Sequence, residues 1–282
     1  MKVSDVTAIA SGKKRGVLSE KALQQVTNSQ QQVQQIVANN KTVYGVNTGF
    51  GILANTPISE ADTRTLQHKI LQSHSVGVGD PVPAEIARIM LITKVQALAQ
   101  GFSGVQAETL QRICWHIEND VIPVVPEKGS VGASGDLAPL AHLFLPLIGL
   151  GEVMYKGKKY RSQEVLQQFG LAPLQLGPKE GLALINGTQF LLAYAVKAVQ
   201  RLHNCLEAAD IIGAMSLEAL TGTKAPFDER LHALRPYAGS RLVAQRLRYL
   251  LHDSAIMQSH IDCGRVQDPY SLRCMPQMHG AS

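Results

Sequence analysis

The feature that most constrains the fold is a long helical pattern, which runs from Gln189 to Leu220. Residues along it recur every seven positions in two series: Ala195, Leu202, Ala209 and Ser216, and Val199, Leu206, Gly213 and Leu220. Small residues in such a seam predict close packing against another long helix, as in a helical bundle. The sequence therefore predicts a mainly α fold.

Shorter helical patterns fill much of the remaining chain. An amphipathic, glutamine-rich helix is predicted to open at Ser19, and the others are predicted over residues 60–74, 83–100, 107–119 and 240–260. Prolines make 121–126 extended, and 151–160 is typical of a small hairpin. We expect a loop-like tail from Met275 to Ser282. The predicted domains are an N-terminal region, 1–188, and the start of a helical bundle, 189–282, which is incomplete.

Composition excludes several classes of protein. The 282 residues are 45% hydrophobic and 17% charged, which is typical of a globular chain rather than a disordered one. The sequence shows no membrane span, no signal peptide and no Cys-x-x-Cys pair, so we expect a cytoplasmic protein without disulfides. The net charge of +5 is spread thinly, which favours a small anionic ligand over nucleic acid. His252, His260 and Cys263 match no standard metal-ligand spacing, so no metal is expected.

Residues 129–137 read Gly-Ser-Val-Gly-Ala-Ser-Gly-Asp-Leu, and the Ala133-Ser134-Gly135 tripeptide within them can form a five-membered ring. The ring closes when the Gly135 nitrogen, which has no Cβ in its path, attacks the Ala133 carbonyl and two waters are lost. An isolated Ala-Ser-Gly is usually a loop. A hydrolase nucleophile elbow is excluded, because Asp136 stands where its last glycine belongs. Asp136 is the predicted N-cap of the next helix, which places the tripeptide at the positive end of the helix dipole.

Four further segments hold polar residues that could accompany such a ring. They are Tyr44 in a glycine-rich loop, Ser73-His74 at a helix end, Asn186 in Asn-Gly-Thr-Gln, and the group Gln267, Tyr270 and Arg273. The loop around Tyr44 lacks the Lys-Ser/Thr of a phosphate-binding loop. The guanidinium of Arg273 suits a carboxylate. Each of these segments alone would be interpreted as structural.

Taken together, the segments resemble the signatures of the aromatic amino acid ammonia-lyases, and Ser73-His74 resembles the histidine-specific members. The resemblance implies a protein-derived methylidene-imidazolone group from Ala133-Ser134-Gly135, without an external cofactor. It implies non-oxidative conversion of L-histidine to trans-urocanate and ammonia. Tyr44 would remove a β-proton, although free tyrosine has a pKa of about 10 and needs cationic or dipolar help to ionise.

The same resemblance assigns the remaining site residues. Ser73 and His74 would contact the imidazole of the substrate, and Asn186 would hydrogen-bond the ring or the substrate. Arg273 would hold the substrate carboxylate. Gln267 and Tyr270 would be its polar companions.

The family also implies an L-aspartase/fumarase-like fold and a homotetramer whose sites combine residues of three subunits. Relatives continue far beyond Ser282, so we expect the chain alone to be inactive, with Tyr270 and Arg273 on a weakly held tail. The missing part could be supplied as another chain. Two alternatives stay open: a tyrosine or phenylalanine ammonia-lyase or aminomutase, and a non-catalytic fragment.

Overall fold

A computed structural model describes residues 1–39, 42–49, 58, 60–131, 135–261 and 263–282. The chain divides into two compact units, Met1–Lys197 and Ala198–Ser282. Helices dominate both units, which confirms the predicted mainly α fold. None of the helices in the described part combines the length and apolar composition that a membrane span requires.

The helices of the first unit surround one apolar core. They are α1 (Val3–Ala10), α2 (Glu20–Ala38), α3 (Glu60–His74), α4 (Ala84–Leu98), α5 (Ala107–Glu118), α6 (Leu137–Phe144), α7 (Ser162–Gln168), α8 (Glu180–Ile185) and the beginning of α9 (Gln189–Ala219). The helices predicted over 60–74, 83–100 and 107–119 are thus confirmed. Ser19 caps α2 as predicted, since its hydroxyl accepts a hydrogen bond from the Ala22 amide at 3.2 Å.

Helix α4 lies at the centre of this unit and packs against α1 and α5. It is apolar on most of its faces, which is the pattern of a fully buried helix. Its buried residues include Ile89, Met90 and Leu91, and they also include Lys94. A lysine is rarely buried this deeply without a partner, so its surroundings bear on the site described below.

Helices α3, α6 and α8 pack against one another in all three pairs. The α3–α8 contact is close because α8 contributes Gly181, where a Cβ would lie 3.0 Å from the Gln67 Cα. The amide of Gly181 donates to Gln67 Oε1 at 3.0 Å. This packing fixes three helix ends relative to one another: the C-terminus of α3, the N-terminus of α6 and the C-terminus of α8.

Among the described residues of the first unit, five short strands connect the helices. They are β1 (Val78–Pro81), β2 (Ile122–Pro123), β3 (Pro126–Lys128), β4 (Glu152–Tyr155) and β5 (Lys158–Arg161). Strand β1 pairs antiparallel with β3, and β2, β4 and β5 form an antiparallel sheet in the order β2-β4-β5. The β4–β5 hairpin and the extended segment over 121–126 agree with the sequence prediction.

The second unit has its own apolar core, which includes Leu217, Phe227 and Leu247. Its helices are the remainder of α9, α10 (Glu229–Ala233), α11 (Ala238–Leu250), α12 (Ala255–Ser259), α13 (Tyr270–Arg273) and α14 (Met275–Ala281). The prediction of one helix over 240–260 was wrong. The chain breaks after α11 and restarts at Ser254, whose hydroxyl accepts from the Met257 amide at 3.1 Å.

The predicted loop-like tail was also wrong. Residues Met275–Ala281 form α14, and Met275 is buried. Gly280 in α14 and Gly239 in α11 lie in backbone contact, and a Cβ on Gly280 would lie 2.7 Å from the Ser240 Cα. Gly280 permits the two helices to approach closely.

Candidate active site

Three of the predicted segments lie at the helix ends that the packing of α3, α6 and α8 fixes. Ser73 and His74 end α3, Gly135 and Asp136 precede α6, and Asn186 follows α8. These segments are far apart in the sequence, and the first unit brings their helices into contact. Gly132, Ala133 and Ser134 lie outside the described residues.

Gly135 pairs with the chain that follows α8. Gly135 and Gly187 form a parallel bridge, and the Asp136 amide donates to the Gly187 carbonyl at 2.7 Å. Gly135 has a φ of 109°, a conformation that side chains with a Cβ rarely adopt, and a Cβ there would collide with the Gly187 carbonyl oxygen. Only glycine fits at position 135.

The Asp136 carboxylate is buried and accepts one hydrogen bond from each of two other segments of the chain. Oδ1 accepts from the Ser130 hydroxyl at 2.7 Å, which draws together the two ends of the segment that contains the tripeptide. Oδ2 accepts from the Leu191 amide at 3.1 Å, in the first turn of α9. Asp136 occupies the predicted N-cap position of α6, but its side chain makes no capping bond there and stabilises the N-terminus of α9 instead.

His74 is held by its own helix. Its Nδ1 lies 2.9 Å from the Ile70 carbonyl oxygen, which can only accept, so Nδ1 carries the proton. The Ser73 hydroxyl lies 3.0 Å from the same nitrogen. In the neutral ring, Nε2 of His74 is therefore a hydrogen-bond acceptor.

The chain that follows His74 lies directly against the segment that precedes the tripeptide. Strand β1 pairs with β3 with Val78 opposite Lys128, and a Cβ on Gly129 would lie 3.0 Å from the Gly77 Cα. The Gly77 amide donates to His142 Nε2, on α6, at 3.0 Å. Burial lowers the pKa of His142, which favours the neutral imidazole that this hydrogen bond requires.

Asn186 is exposed, whereas its backbone carbonyl accepts a hydrogen bond from a buried side chain. Lys94 Nζ, on α4, donates to the Asn186 carbonyl oxygen at 2.6 Å. Lys94 is only 2% exposed, and this desolvation lowers its pKa to about 7. The lysine supplies a donor at the C-terminus of α8, where helix carbonyls lack partners.

Tyr44 lies in a turn whose backbone amides donate hydrogen bonds to side chains of the same turn. The Asn47 side chain accepts from the Val43 amide at 2.9 Å, and the Thr48 hydroxyl accepts from the Gly45 amide at 3.2 Å. Gly45 has a φ of 74°, in the left-handed region that glycine readily adopts. The Tyr44 side chain is 57% exposed, so the turn presents the phenol at the surface of the described chain.

Gln267, Tyr270 and Arg273 lie in the second unit and form one cluster. The Arg273 guanidinium lies 5.8 Å from the Tyr270 ring centroid, and its Nε donates to the Asp268 carbonyl at 3.0 Å. With its amide oxygen turned toward Arg273, Gln267 accepts from Nη1 at 2.8 Å. The expectation of a weakly held tail was wrong, because Leu272 and Met275 beside this cluster are buried in the core of the unit.

Sequence reasoning missed the supporting residues Lys94, Ser130 and His142. Ser130 and His142 lie inside the glycine-rich segment and the helix after it, but their partners are distant in the chain. Lys94 carried a signal, because it is a cation among the apolar residues of α4. Within the described ranges, no three His, Cys, Asp or Glu side chains are grouped so that they could hold a metal ion.

Comparison with known proteins decides the family. The family model described as aromatic amino acid lyase matches residues 1–282. The chain belongs to the aromatic amino acid lyase family. Like other members of the aromatic amino acid lyases, it has a mainly α, fumarase-like fold.

Individual members of the aromatic amino acid lyase family match this chain over its whole length. Histidine ammonia-lyase of Myxococcus xanthus is 45% identical over 282 residues, which are 100% of this chain and 56% of the relative. The crystal structure of histidine ammonia-lyase from Trypanosoma cruzi is 38% identical with a TM-score of 0.86, and the match covers 100% of this chain and 52% of that one. Tyrosine aminomutase from Streptomyces globisporus is 30% identical with a TM-score of 0.89, covering 100% and 56% respectively. The chain spans about half the length of the curated relatives it matches.

Proposed function

We propose that the protein takes part in the non-oxidative elimination of ammonia from L-histidine, which gives trans-urocanate. The observation that carries the proposal is that the three helices bearing Ser73-His74, Asp136 and Asn186 pack against one another, and that Gly135 lies against Gly187, the residue after Asn186. Two relatives, from Myxococcus xanthus and Trypanosoma cruzi, are named histidine ammonia-lyases.

The prosthetic group in this proposal is a methylidene-imidazolone made from Ala133-Ser134-Gly135, and the neighbouring residues fit it. Gly135 lies where a Cβ would collide with Gly187, so the amide nitrogen that must attack is unhindered by a side chain. The Ser130–Asp136 hydrogen bond joins the residues on either side of the segment that contains the tripeptide. Gln189 Oε1, beside Gly187, is buried and has no hydrogen-bond partner among the described residues, which leaves an acceptor for a substrate N–H.

The group would supply an electrophilic methylidene, and the side chains of this chain would bind the substrate and move its protons. Tyr44 would accept the β-proton as the C–N bond breaks and the C=C bond forms. His74 Nε2 would accept a hydrogen bond from the substrate imidazole, which offers one N–H in its neutral form. Arg273 would bind the carboxylate, with Gln267 and Tyr270 beside it.

The proposal extends to location and assembly. The cysteines Cys114, Cys205, Cys263 and Cys274 are all free thiols, which supports a reducing compartment such as the cytoplasm. We propose an assembly of four copies.

The prosthetic group can be tested by intact mass. The chain is expected to be lighter than its sequence by two waters, and Ser134→Ala is expected to have its unmodified mass, because the serine hydroxyl is one of the two leaving groups. A wild-type chain at full mass would refute the prosthetic group.

The substrate is tested on the chain combined with the part of the Myxococcus xanthus relative outside the matched region. Histidine is expected to be preferred over tyrosine and phenylalanine. His74→Leu should lower kcat/KM for histidine by roughly tenfold or more, about 1–3 kcal/mol for one lost hydrogen bond. Preference for phenylalanine would refute histidine as the substrate and leave the elimination chemistry intact.

A further inference from the structure

Lys94 is a buried cation that the proposed reaction does not use. It lies on α4, is 2% exposed, and its Nζ is 6.0 Å from the Phe144 ring centroid. Burying an ammonium group costs several kcal/mol unless hydrogen bonds compensate. Nζ donates a hydrogen bond to the Asn186 carbonyl at 2.6 Å, which both the ammonium and the neutral amine can make.

The Asn186 carbonyl is one peptide away from the contact with Gly135. The next carbonyl, of Gly187, accepts the Asp136 amide at 2.7 Å, and Gly187 forms the bridge with Gly135. Lys94 therefore anchors the short extended segment, Asn186–Gly187, against which the backbone of Gly135 lies. The other face of this segment is in contact with the Gln189 amide, since a Cβ on Gly187 would lie 3.0 Å from Gln189 Cδ.

We propose that Lys94 is a positioning residue for the cyclisation of Ala133-Ser134-Gly135, acting through Asn186–Gly187. This inference rests on the proposed function, because it needs the ring to form. Anchoring Asn186–Gly187 restricts the backbone of Gly135, which carries the nitrogen that attacks in the cyclisation. Holding reacting atoms in one orientation accelerates an intramolecular step without any change in chemistry.

The cyclisation balances without any co-reactant. A bond forms between the Gly135 nitrogen and the Ala133 carbonyl carbon, and the carbonyl oxygen leaves as water with the amide protons of Gly135 and Ser134. The Ser134 hydroxyl leaves as a second water with the Ser134 α-proton. No electrons are exchanged with another molecule, and the role of Lys94 is confined to the backbone that it holds.

The test compares Lys94→Met with a matched control, Lys179→Met, in the full chain. Lys179 also donates from Nζ to a backbone carbonyl, that of Ser103, at 2.5 Å, and burial lowers its pKa too. Methionine keeps the length of the apolar stem and removes the donor. Replacing a buried charge by an apolar side chain is often neutral or stabilising, so Lys94→Met is expected to fold.

Two readouts separate positioning from general stability. Intact mass is expected to show the two-water deficit in wild type and in Lys179→Met, and its loss from most Lys94→Met chains. Amide hydrogen exchange of Asp136, whose N–H donates to Gly187, should become roughly tenfold faster in Lys94→Met, while Lys179→Met leaves it unchanged.

A Lys94→Met chain with the full two-water deficit would overturn the inference. If the wild-type chain itself has its unmodified mass, the prosthetic group of the proposed function fails, and the Asp136 exchange rate decides the anchoring by Lys94. In that case, unchanged exchange in Lys94→Met overturns the anchoring, and faster exchange supports it.

Discussion

Burial strongly controls ionisation at His116, a residue of α5 that is 1% exposed. Its Nδ1–H donates to the Val121 carbonyl at 2.8 Å. Desolvation lowers the pKa of His116 to about 4, and the hydrogen bond to Val121 opposes this only in part. The folded protein therefore keeps a neutral imidazole well below the pH at which a free histidine is protonated.

We expect this histidine to make the first unit less stable in acid. The unfolded chain, with a histidine pKa of about 6.5, binds a proton before the folded chain does. Above about pH 6.5, protonation of His116 has no effect on the free energy of unfolding. As the pH drops from about 6.5 to 4, this free energy falls by up to about 3 kcal/mol. The fluorescence of Trp115, the single tryptophan of the chain, can follow urea unfolding of this unit at each pH.

The control for this prediction is His116→Asn, which keeps an N–H near the Nδ1 position and does not titrate. Its unfolding free energy should fall less than that of wild type between pH 7 and pH 4. Other histidines titrate equally in both proteins, so they cancel in the difference. If the unfolding free energies of the two proteins change in parallel with pH, His116 is not the source of the acid destabilisation.

Among the structural elements, the junction between α6 and α8 depends on glycine. Gly135 combines a positive φ with contact against the Gly187 backbone, so a methyl group there has neither a relaxed conformation nor space. Gly170 offers a comparison within the same unit, because its φ is +65° and nothing lies within 4 Å of a built Cβ. Comparing substitutions at Gly170 and Gly135 therefore separates the free-energy cost of an unfavourable φ from the cost of a steric clash.

We predict that Gly170→Ala lowers the unfolding free energy by about 1 kcal/mol, since only the backbone conformation is unfavourable. Gly135→Ala should lower it by roughly 2–4 kcal/mol, because overpacking adds to the conformational cost. Urea unfolding followed by Trp115 fluorescence measures both variants. Equal losses would show that the Gly135–Gly187 contact relaxes at no cost.

At the scale of the whole molecule, α9 exposes a large amount of apolar surface in this chain. Exposed apolar residues along it include Leu192, Tyr194, Leu202, Ile211, Ile212 and Met215. Exposed apolar residues in such number on one helix favour an interaction surface. The small-residue seam of α9 is covered at Gly213, where a Cβ would lie 3.7 Å from Met275 Cε, whereas Leu202, in the other heptad series, is 52% exposed.

We expect the chain alone to associate through α9 with further copies and to show negligible formation of urocanate. Leu202→Glu should weaken the association, because it places a charge in the apolar surface. Asn204→Glu, at an exposed polar position of the same helix, adds the same charge and should have little effect. Analytical ultracentrifugation compares the variants, and a monomeric wild-type chain with robust turnover would contradict this view of α9.

The sequence alone determined the features that depend on local chemistry. Helix periodicity predicted α3, α4, α5 and α9 closely, and prolines and turn residues predicted the extended segment and the hairpin. The residue types in the Ala-Ser-Gly segment and in Ser73-His74 predicted a relationship to the aromatic amino acid lyases, which the family model confirms. All of these signals lie within a few neighbouring residues.

Only the tertiary structure decided the features that depend on partners distant in the chain. Asp136 was predicted to cap the helix that follows it, yet its carboxylate accepts from the Leu191 amide in α9. The tail from Met275 to Ser282 was predicted to be loop-like, whereas Met275–Ala281 form α14, in which Gly280 lies against Gly239 of α11. Lys94 gained its role from Asn186, 92 residues away. Backbone periodicity is local, but a buried polar group is satisfied by whichever partner the packing brings within hydrogen-bond distance.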